Sequence, residues 1–490
     1  MVWIEQGVAS AMDTNRGWEQ SVVDRVLEHI DGHWDEHLQR TRTLLRQPSI
    51  SADGTGMQET ADMLVGWIEE LGGTARKVET PLHPAVVGQL DAGKPYTMLF
   101  YGMYDVQPVV GETWMVDPFG GEIVDLPGIG PSIVNRGVMN QKGPLASLFN
   151  VLHSMKDATG TLPVNVKFLI EGEEELGSRN LPGVVAECRE ELTSDACFFP
   201  FLAQNQEGRV ITYLGVKGIL FMELVSRGGD WGGATERAVH GSNAVWFHSA
   251  TWRLLHALTS MITPDQKHIL IDGFYDHIVP PSQEDEELLQ KLVDTFDPRD
   301  ELLKHDVRRF KYDLDGVDLL RKYLYQPTLN IDGIISGHTA EGTKTIIPHE
   351  ARAKVDVRMV PKMDPERVIQ LIRDHLDRHG FSDIEIHIED AYKWSKTSVS
   401  SAPARAIMDT YRQLGHEPEI WPHLAGSAPF YLFTDVLDIP VVLGGLGHGG
   451  RVHSPNEYAP VAGLKEHEKS IAVFMYRLAD ELGAEHVAED

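Results

Sequence analysis

Short apolar, partly β-branched runs alternate with amphipathic helices along this chain, but the alternation breaks off after Gly218 and resumes near residue 398. Alternation of this kind builds helices onto a largely parallel sheet. Before the break, the periodicity predicts helices over 18–46, Glu59–Leu71, Pro144–Met155 and Leu181–Leu192. Strands are predicted at Ala85–Val87, Tyr96–Tyr101, Val164–Ile170, Ala196–Phe199 and Arg209–Tyr213. Within the break, helices at Ser249–Met261 and Pro365–Arg378 and strands at Ala353–Val360 and Ile384–Ile388 predict a smaller layer, its helices on one face of an antiparallel sheet. Residues 262–325 are acidic and without a clear pattern. A helix at Ala402–Leu414, a strand at Ile439–Leu443 and a helix at Ala462–Leu482 complete the first pattern. The expected fold class is α/β: a discontinuous domain, 18–217 and 398–490, on a largely parallel mixed sheet, with an α+β domain inserted at 218–397. At 490 residues the chain is long enough for two cores.

The charge narrows the partners. With 73 acidic against 44 basic side chains the net charge is −29, which repels phosphate backbones and anionic lipid. No nucleic acid and no membrane are expected, and no apolar stretch approaches the ~20 residues of a membrane helix. Cys188 and Cys197 form no Cys-x-x-Cys pair, so reduced core thiols in a cytoplasmic protein are expected. Met1–Gln6 has no basic start leading into an apolar run, so no signal peptide is expected.

Four polar clusters follow or interrupt strand-like runs: Tyr101–Pro108, Arg136–Pro144, Glu171–Ser178 and Gly447–Tyr458. In open α/β sheets, sites form at the carboxyl ends of strands. Carboxylates crowded at Glu171–Glu175 raise one another's pKa unless a cation or proton lies between them, which suits a general base beside a metal ligand. Alone, that stretch is an acidic loop in an acidic chain, and a lone His453 is a structural histidine; the ordered set of clusters outweighs both.

In this order and at this spacing, the clusters resemble the metallopeptidase family that includes carnosinase-type dipeptidases, acetylornithine deacetylase, succinyl-diaminopimelate desuccinylase and carboxypeptidase G. The resemblance runs from about residue 18 to the last helix. Pro327–Ile334, Lys344–Pro348 and Val357–Pro361 are similar to the lid-domain signature of its carnosinase-like branch. It implies a catalytic domain and a lid or dimerisation domain, with two zinc-like ions between them. It implies that Glu174 is the general base, Glu175 and His453 are metal ligands, and Asp105 orients a ligand histidine. His240 corresponds to a lid histidine that stabilises the oxyanion in the partner subunit of a homodimer, with His248 as the weaker match. Arg358 corresponds to a clamp for a substrate carboxylate, and Asn330, Gly426 and Ser427 to further substrate contacts.

The departures from the family pattern are specific. Met103 stands where the ligand histidine belongs, Asn140 where the bridging aspartate belongs, and Phe198–Leu202 offers no carboxylate where a later aspartate belongs. Leu424-Ala425 replaces an Arg-Glu pair before the Gly426-Ser427 loop. A thioether and a carboxamide cannot hold two adjacent dications as imidazole and carboxylate do. Glu175, His453 and the Asn140 carbonyl remain for at most one zinc-like divalent ion, completed by water or a histidine such as His448. A metal-free site is the alternative. The expected function is hydrolysis of an amide bond in a small carboxylate-bearing molecule, a dipeptide or N-acyl amino acid. A metal-independent acid/base enzyme and a catalytically silent binding homologue are the alternatives.

Overall fold

The computed structural model describes Trp18 and residues 20–489; Met1–Gln6 and Asp490 lie outside the described residues. The larger sheet has six strands in the order Thr74–Val78, Ala85–Leu90, Asn165–Glu171, Thr97–Met103, Ala196–Pro200 and Val441–Gly444. The first two run antiparallel and the other four are mutually parallel. Both faces of the interior strands are covered, so these are mostly apolar, while the edge strand Thr74–Val78 is exposed or half-buried as far as Val78. Met98, Phe100, Phe168 and Phe198 pack into one core with Phe149 and Phe474 from the covering helices. Leu99, Tyr101, Leu169 and Cys197 face the opposite core with Leu181, Val185 and Phe433. Cys188 and Cys197 are buried free thiols.

The smaller sheet has the order Asn330–Ser336, Glu350–Met359, Gly218–Arg227 and Glu385–Tyr392, all antiparallel. Leu220, Met222, Leu224, Ala353, Val355 and Val357 alternate toward one face, where the helices Ala250–Ser260 and Pro365–Arg378 cover them. The chain leaves the larger sheet through Gly215–Val216 and returns through Ser395–Lys396, and these two short segments pair with each other.

Two local predictions change. Residues 18–46 are two helices, Gln20–Gly32 and Trp34–Arg46, rather than one. The helix begun at Leu181 ends at Glu187, where turns take over. Within the unassigned 262–325 stretch, the helices Gln283–Leu292 and Gly316–Tyr325 pack on Trp421 through Leu289, Leu292, Leu320 and Leu324. They lean on the edge of the larger fold, although they lie within the 218–397 stretch that the sequence pattern assigns to the inserted domain. Among the described residues no helix is long and apolar enough to cross a membrane.

His375, His423 and His467 are buried away from the site. The His467 Nδ1 donates to the Leu446 carbonyl at 3.0 Å, leaving Nε2 buried without a partner. Burial pushes all three imidazoles down from 6.5 to about 4. The unfolded chain therefore binds these protons near pH 6.5 and the folded chain only near pH 4, so their contribution to stability is full above pH 6.5 and is lost as pH falls. The thermal midpoint should fall through that window, and His375→Leu should make the fall shallower. Identical slopes in parent and variant would remove His375 from the account.

Candidate active site

The parallel strands deliver the catalytic candidates at their carboxyl ends. Thr97–Met103 pairs with Asn165–Glu171 as far as Met103 opposite Glu171, and the Tyr104 amide then donates to the Glu171 carbonyl at 2.9 Å. The next residue, Asp105, is fully buried. Its carboxylate accepts the backbone amides of Glu174 (3.2 Å) and Glu175 (3.0 Å), which fixes the single turn Glu174–Leu176. Burial, and then the neighbouring Glu175, push Asp105 up to about 7. Burial, then Glu175, Asp105 and Glu171, raise the Glu174 carboxyl well above its ordinary value. A carboxyl so placed holds a proton more firmly than one in water, as a proton carrier working near neutrality requires.

Glu175 gathers three side chains. Its Oε1 accepts the Asn140 Nδ2 at 3.0 Å and lies 3.1 Å from the His453 Nε2, while its Oε2 accepts the Gln107 Nε2 at 2.8 Å. Asn140 Nδ2 also lies 3.2 Å from His453 Nε2. The Glu175 side chain is 5% exposed and that of His453 is 51% exposed. The hydrogen bond to Glu175 raises the His453 pKa against the opposing effect of burial. His453 sits at φ 57°, a left-handed conformation that histidine enters more readily than most side chains.

Glu457 holds the Asn140 loop in place. It accepts the backbone amides of Gly137, Met139 and Asn140, each at 3.0 Å, and the Arg136 guanidinium at 3.2 Å. Arg136, 1% exposed, reaches on to Glu112 at 2.8 Å and lies over the Trp114 ring.

The substituted ligand positions are filled by other contacts. Met103 is buried, and its neutral thioether needs no counter-charge there. Asp105 therefore does not orient a ligand ring; its oxygens are taken by the Glu174 and Glu175 amides. Pro200 offers only its carbonyl, which accepts the Gln141 Nε2 at 2.7 Å, and Gln141 Oε1 accepts the Met103 amide at 2.9 Å. His448 stands edge-on to Tyr458, outside the Glu175 cluster. Asn140 turns its amide nitrogen, not its oxygen, toward Glu175 and His453. Among the described residues no three His, Cys, Asp or Glu side chains are grouped as a metal ion would require. The donors present fit neither the two-ion centre nor a three-ligand single-ion site.

A second cluster lies on the smaller sheet. Arg358 donates to the Ser427 hydroxyl at 2.9 Å and to Asp356 at 3.2 Å. Asn330 Nδ2 donates to Asp356 and to Asp332, both at 2.9 Å. The Gly426 carbonyl accepts the Lys217 amide at 2.9 Å. The sheet's edge closes on the Glu174 turn at Gly177, where φ is 85° and a Cβ would stand 2.2 Å from Asp390 Oδ1, so only glycine fits. His240 is not drawn into either cluster. It is exposed on the smaller sheet's side of the molecule, with Nδ1 2.8 Å from the Ser242 hydroxyl and Nε2 3.1 Å from that of Thr345. His248 packs near Trp231.

The model of "Peptidase family M20/M25/M40" matches residues 99–477. The chain belongs to this peptidase family. It is a hydrolase. The Cys-Gly metallodipeptidase DUG1 of Saccharomyces cerevisiae is 26% identical over 488 residues, covering 92% of this chain and 97% of that one. Human Beta-Ala-His dipeptidase is 27% identical over 389 residues, covering 73% and 72%. Among solved structures, the M20 family metallo-carboxypeptidase Sso-CP2 from Sulfolobus solfataricus superposes with a TM-score of 0.83 at 32% identity, over 91% of this chain and 99% of that one. Human carnosine dipeptidase 1, at 23% identity and a TM-score of 0.75 over 93% and 99%, shares the fold.

Gln107, Gln141 and Glu457 were inside the polar clusters of the sequence without an assigned part. Their signal is polarity beside motif residues, which does not reveal which backbone or carboxylate they meet. Glu457→Ala leaves the buried Arg136 with Glu112 as its remaining carboxylate and three amides without their acceptor, so it should cost about 3–5 kcal/mol of folding stability. Urea denaturation reads this, and a loss within error of zero would mean that Glu112 and water suffice.

Proposed function

We propose that this chain hydrolyses the amide bond of a small carboxylate-bearing molecule, of the dipeptide or N-acyl amino acid type, with Glu174 as general base. The observation that carries this is Glu174 itself: anchored by Asp105, crowded by carboxylates that raise its pKa, and placed at the carboxyl ends of the parallel strands. The relatives named as dipeptidases support the substrate class. Glu174 takes a proton from water as the water oxygen attacks the carbonyl carbon. It returns that proton to the departing amine nitrogen as the C–N bond breaks. Arg358, already aligned by Ser427 and Asp356, presents a planar fork suited to the substrate carboxylate and orients the scissile bond. No step is assigned to a metal ion, because the donors at positions 103, 140 and 200–201 do not fit one.

His240 would stabilise the oxyanion from the partner subunit of a homodimer. Two features support that assembly. The edge strand Asn330–Ser336 is open, with Ile334 and Ile335 exposed, and the turn after His240 exposes Val245 and Trp246. Exposed edges and large apolar side chains of this kind are ordinarily covered. A cytoplasmic setting accords with the two free thiols. The same uncharged ligand positions also support a second reading, a metal-independent acid/base enzyme on this fold that catalyses a reaction other than amide hydrolysis.

Glu174→Gln should lower kcat about 10²–10⁴-fold on a panel of dipeptides and N-acyl amino acids while leaving KM near its parent value. Unchanged kcat on every substrate turned over would dismiss Glu174 as the base. Mixing Glu174→Gln chains with His240→Asn chains should recover activity, since a mixed dimer contains one site with both groups intact. No recovery, from two variants that are each inactive and dimeric, would place His240 outside the partner's site.

A further inference from the structure

We infer that carboxamide side chains perform, in this chain, the structural work a metal centre performs in its family: Gln107, Asn140 and Gln141 tie the active-site elements together, and the site assembles without a divalent ion. The inference holds whatever bond Glu174 acts on.

Gln141 works at the point where the sheet opens. Thr97–Met103 stays paired with Asn165–Glu171 to its last residue, but it is paired with Ala196–Pro200 only as far as Phe100 opposite Phe198. Beyond that pair the two strand ends need another link. The Gln141 side chain, fully buried, spans them: it accepts the Met103 amide at 2.9 Å and donates to the Pro200 carbonyl at 2.7 Å. Met103 and the Pro200 region are two of the three places where this chain lacks a metal ligand that the family resemblance implies. One neutral amide thus joins the two strand ends that an ion would have joined.

Asn140 and Gln107 serve Glu175. A carboxylate whose side chain is 5% exposed must have donors in place of water. Asn140 supplies one to Oε1 and Gln107 one to Oε2, with His453 alongside. An ion arriving at Glu175 would have to displace those hydrogen bonds. Turning the Asn140 amide over would aim its oxygen at a carboxylate oxygen, which repels in the absence of a cation. The residues that remain from the metal pattern are thus already satisfied by one another and by neutral donors.

The test uses the full-length protein, stripped with chelator, incubated with zinc ion and desalted. Metal per chain is counted by plasma mass spectrometry, and the thermal midpoint is measured in chelator and in zinc. Substoichiometric zinc and equal midpoints are expected. One ion or more retained per chain, with a midpoint that chelator lowers and zinc restores, overturns the inference. A second arm uses Asn140→Asp, which replaces the donor to Glu175 by a like charge. Its midpoint in chelator should fall below that of the parent, and zinc should raise it again. A variant as stable as the parent in chelator overturns the part assigned to Asn140. If the variant does not fold, the parent's zinc response decides alone.

Discussion

A carboxylate held out of water must be given donors, and Glu175 is the one around which this site is arranged. Its two oxygens draw in side chains from three separate stretches of chain: Gln107 beyond the second parallel strand, Asn140 before a helix, and His453 in the last loop. The same rule organises the next layer. Glu457 draws in three amides of the 137–140 loop and the buried Arg136, so the position of Asn140 depends on a second anion. Asp105 does the corresponding work for the Glu174 turn. Three buried carboxyl groups, each satisfied chiefly by backbone or neutral donors, hold the loops that the parallel strands leave at their ends.

The two sheets are held by similar means. Lys217 follows the outgoing crossing segment, and its buried ammonium donates to the carbonyls of Tyr323 (2.7 Å) and Gln326 (3.0 Å) at the end of the helix Gly316–Tyr325. Lys396, on the returning segment, pairs with Asp285 in the helix Gln283–Leu292. The helices of the 283–325 stretch thereby grip both crossing segments while their leucines pack on Trp421.

Much of the fold was legible because burial writes itself into the sequence. The run at 196–199 is apolar on both faces and that at 164–170 is so from Phe168 on, with Asn165 and Lys167 as the polar exceptions, and the structure finds them as central parallel strands at Asn165–Glu171 and Ala196–Pro200. The helix Pro365–Arg378 was legible to the residue from its periodicity, and the structure adds the Asp364 side chain as its cap. The 283–325 helices were not, because their apolar residues face a distant strand and their remaining surface is acidic like the rest of the chain. In the site, the motif residues Glu174, Glu175, Asn140 and His453 could be placed by order alone. Gln107, Gln141 and Glu457 could not, since what matters in them is which atom they meet. The break at His33, where two helices replace one, was signalled only by the single Gly32 inside an otherwise continuous helical periodicity.

The pattern of substitution is coherent when charge is followed rather than residue identity. Against the family pattern, the chain lacks two carboxylates and an imidazole, and Met103, Asn140, Pro200 and Phe201 are all uncharged. Carboxylates packed together are tolerable only with cations between them. A site that gives up its cations must therefore give up anions as well, or protonate them. Glu175 is retained with hydrogen-bond donors on both oxygens, and Glu174 is retained as the carboxyl whose proton affinity the remaining crowding raises. Arg358 still has its aligning contacts on the other sheet. The groups that would move a proton and hold a carboxylate are thus kept, Glu175 and His453 are kept with hydrogen-bond partners, and positions 103, 140 and 200–201 carry side chains that need no dication.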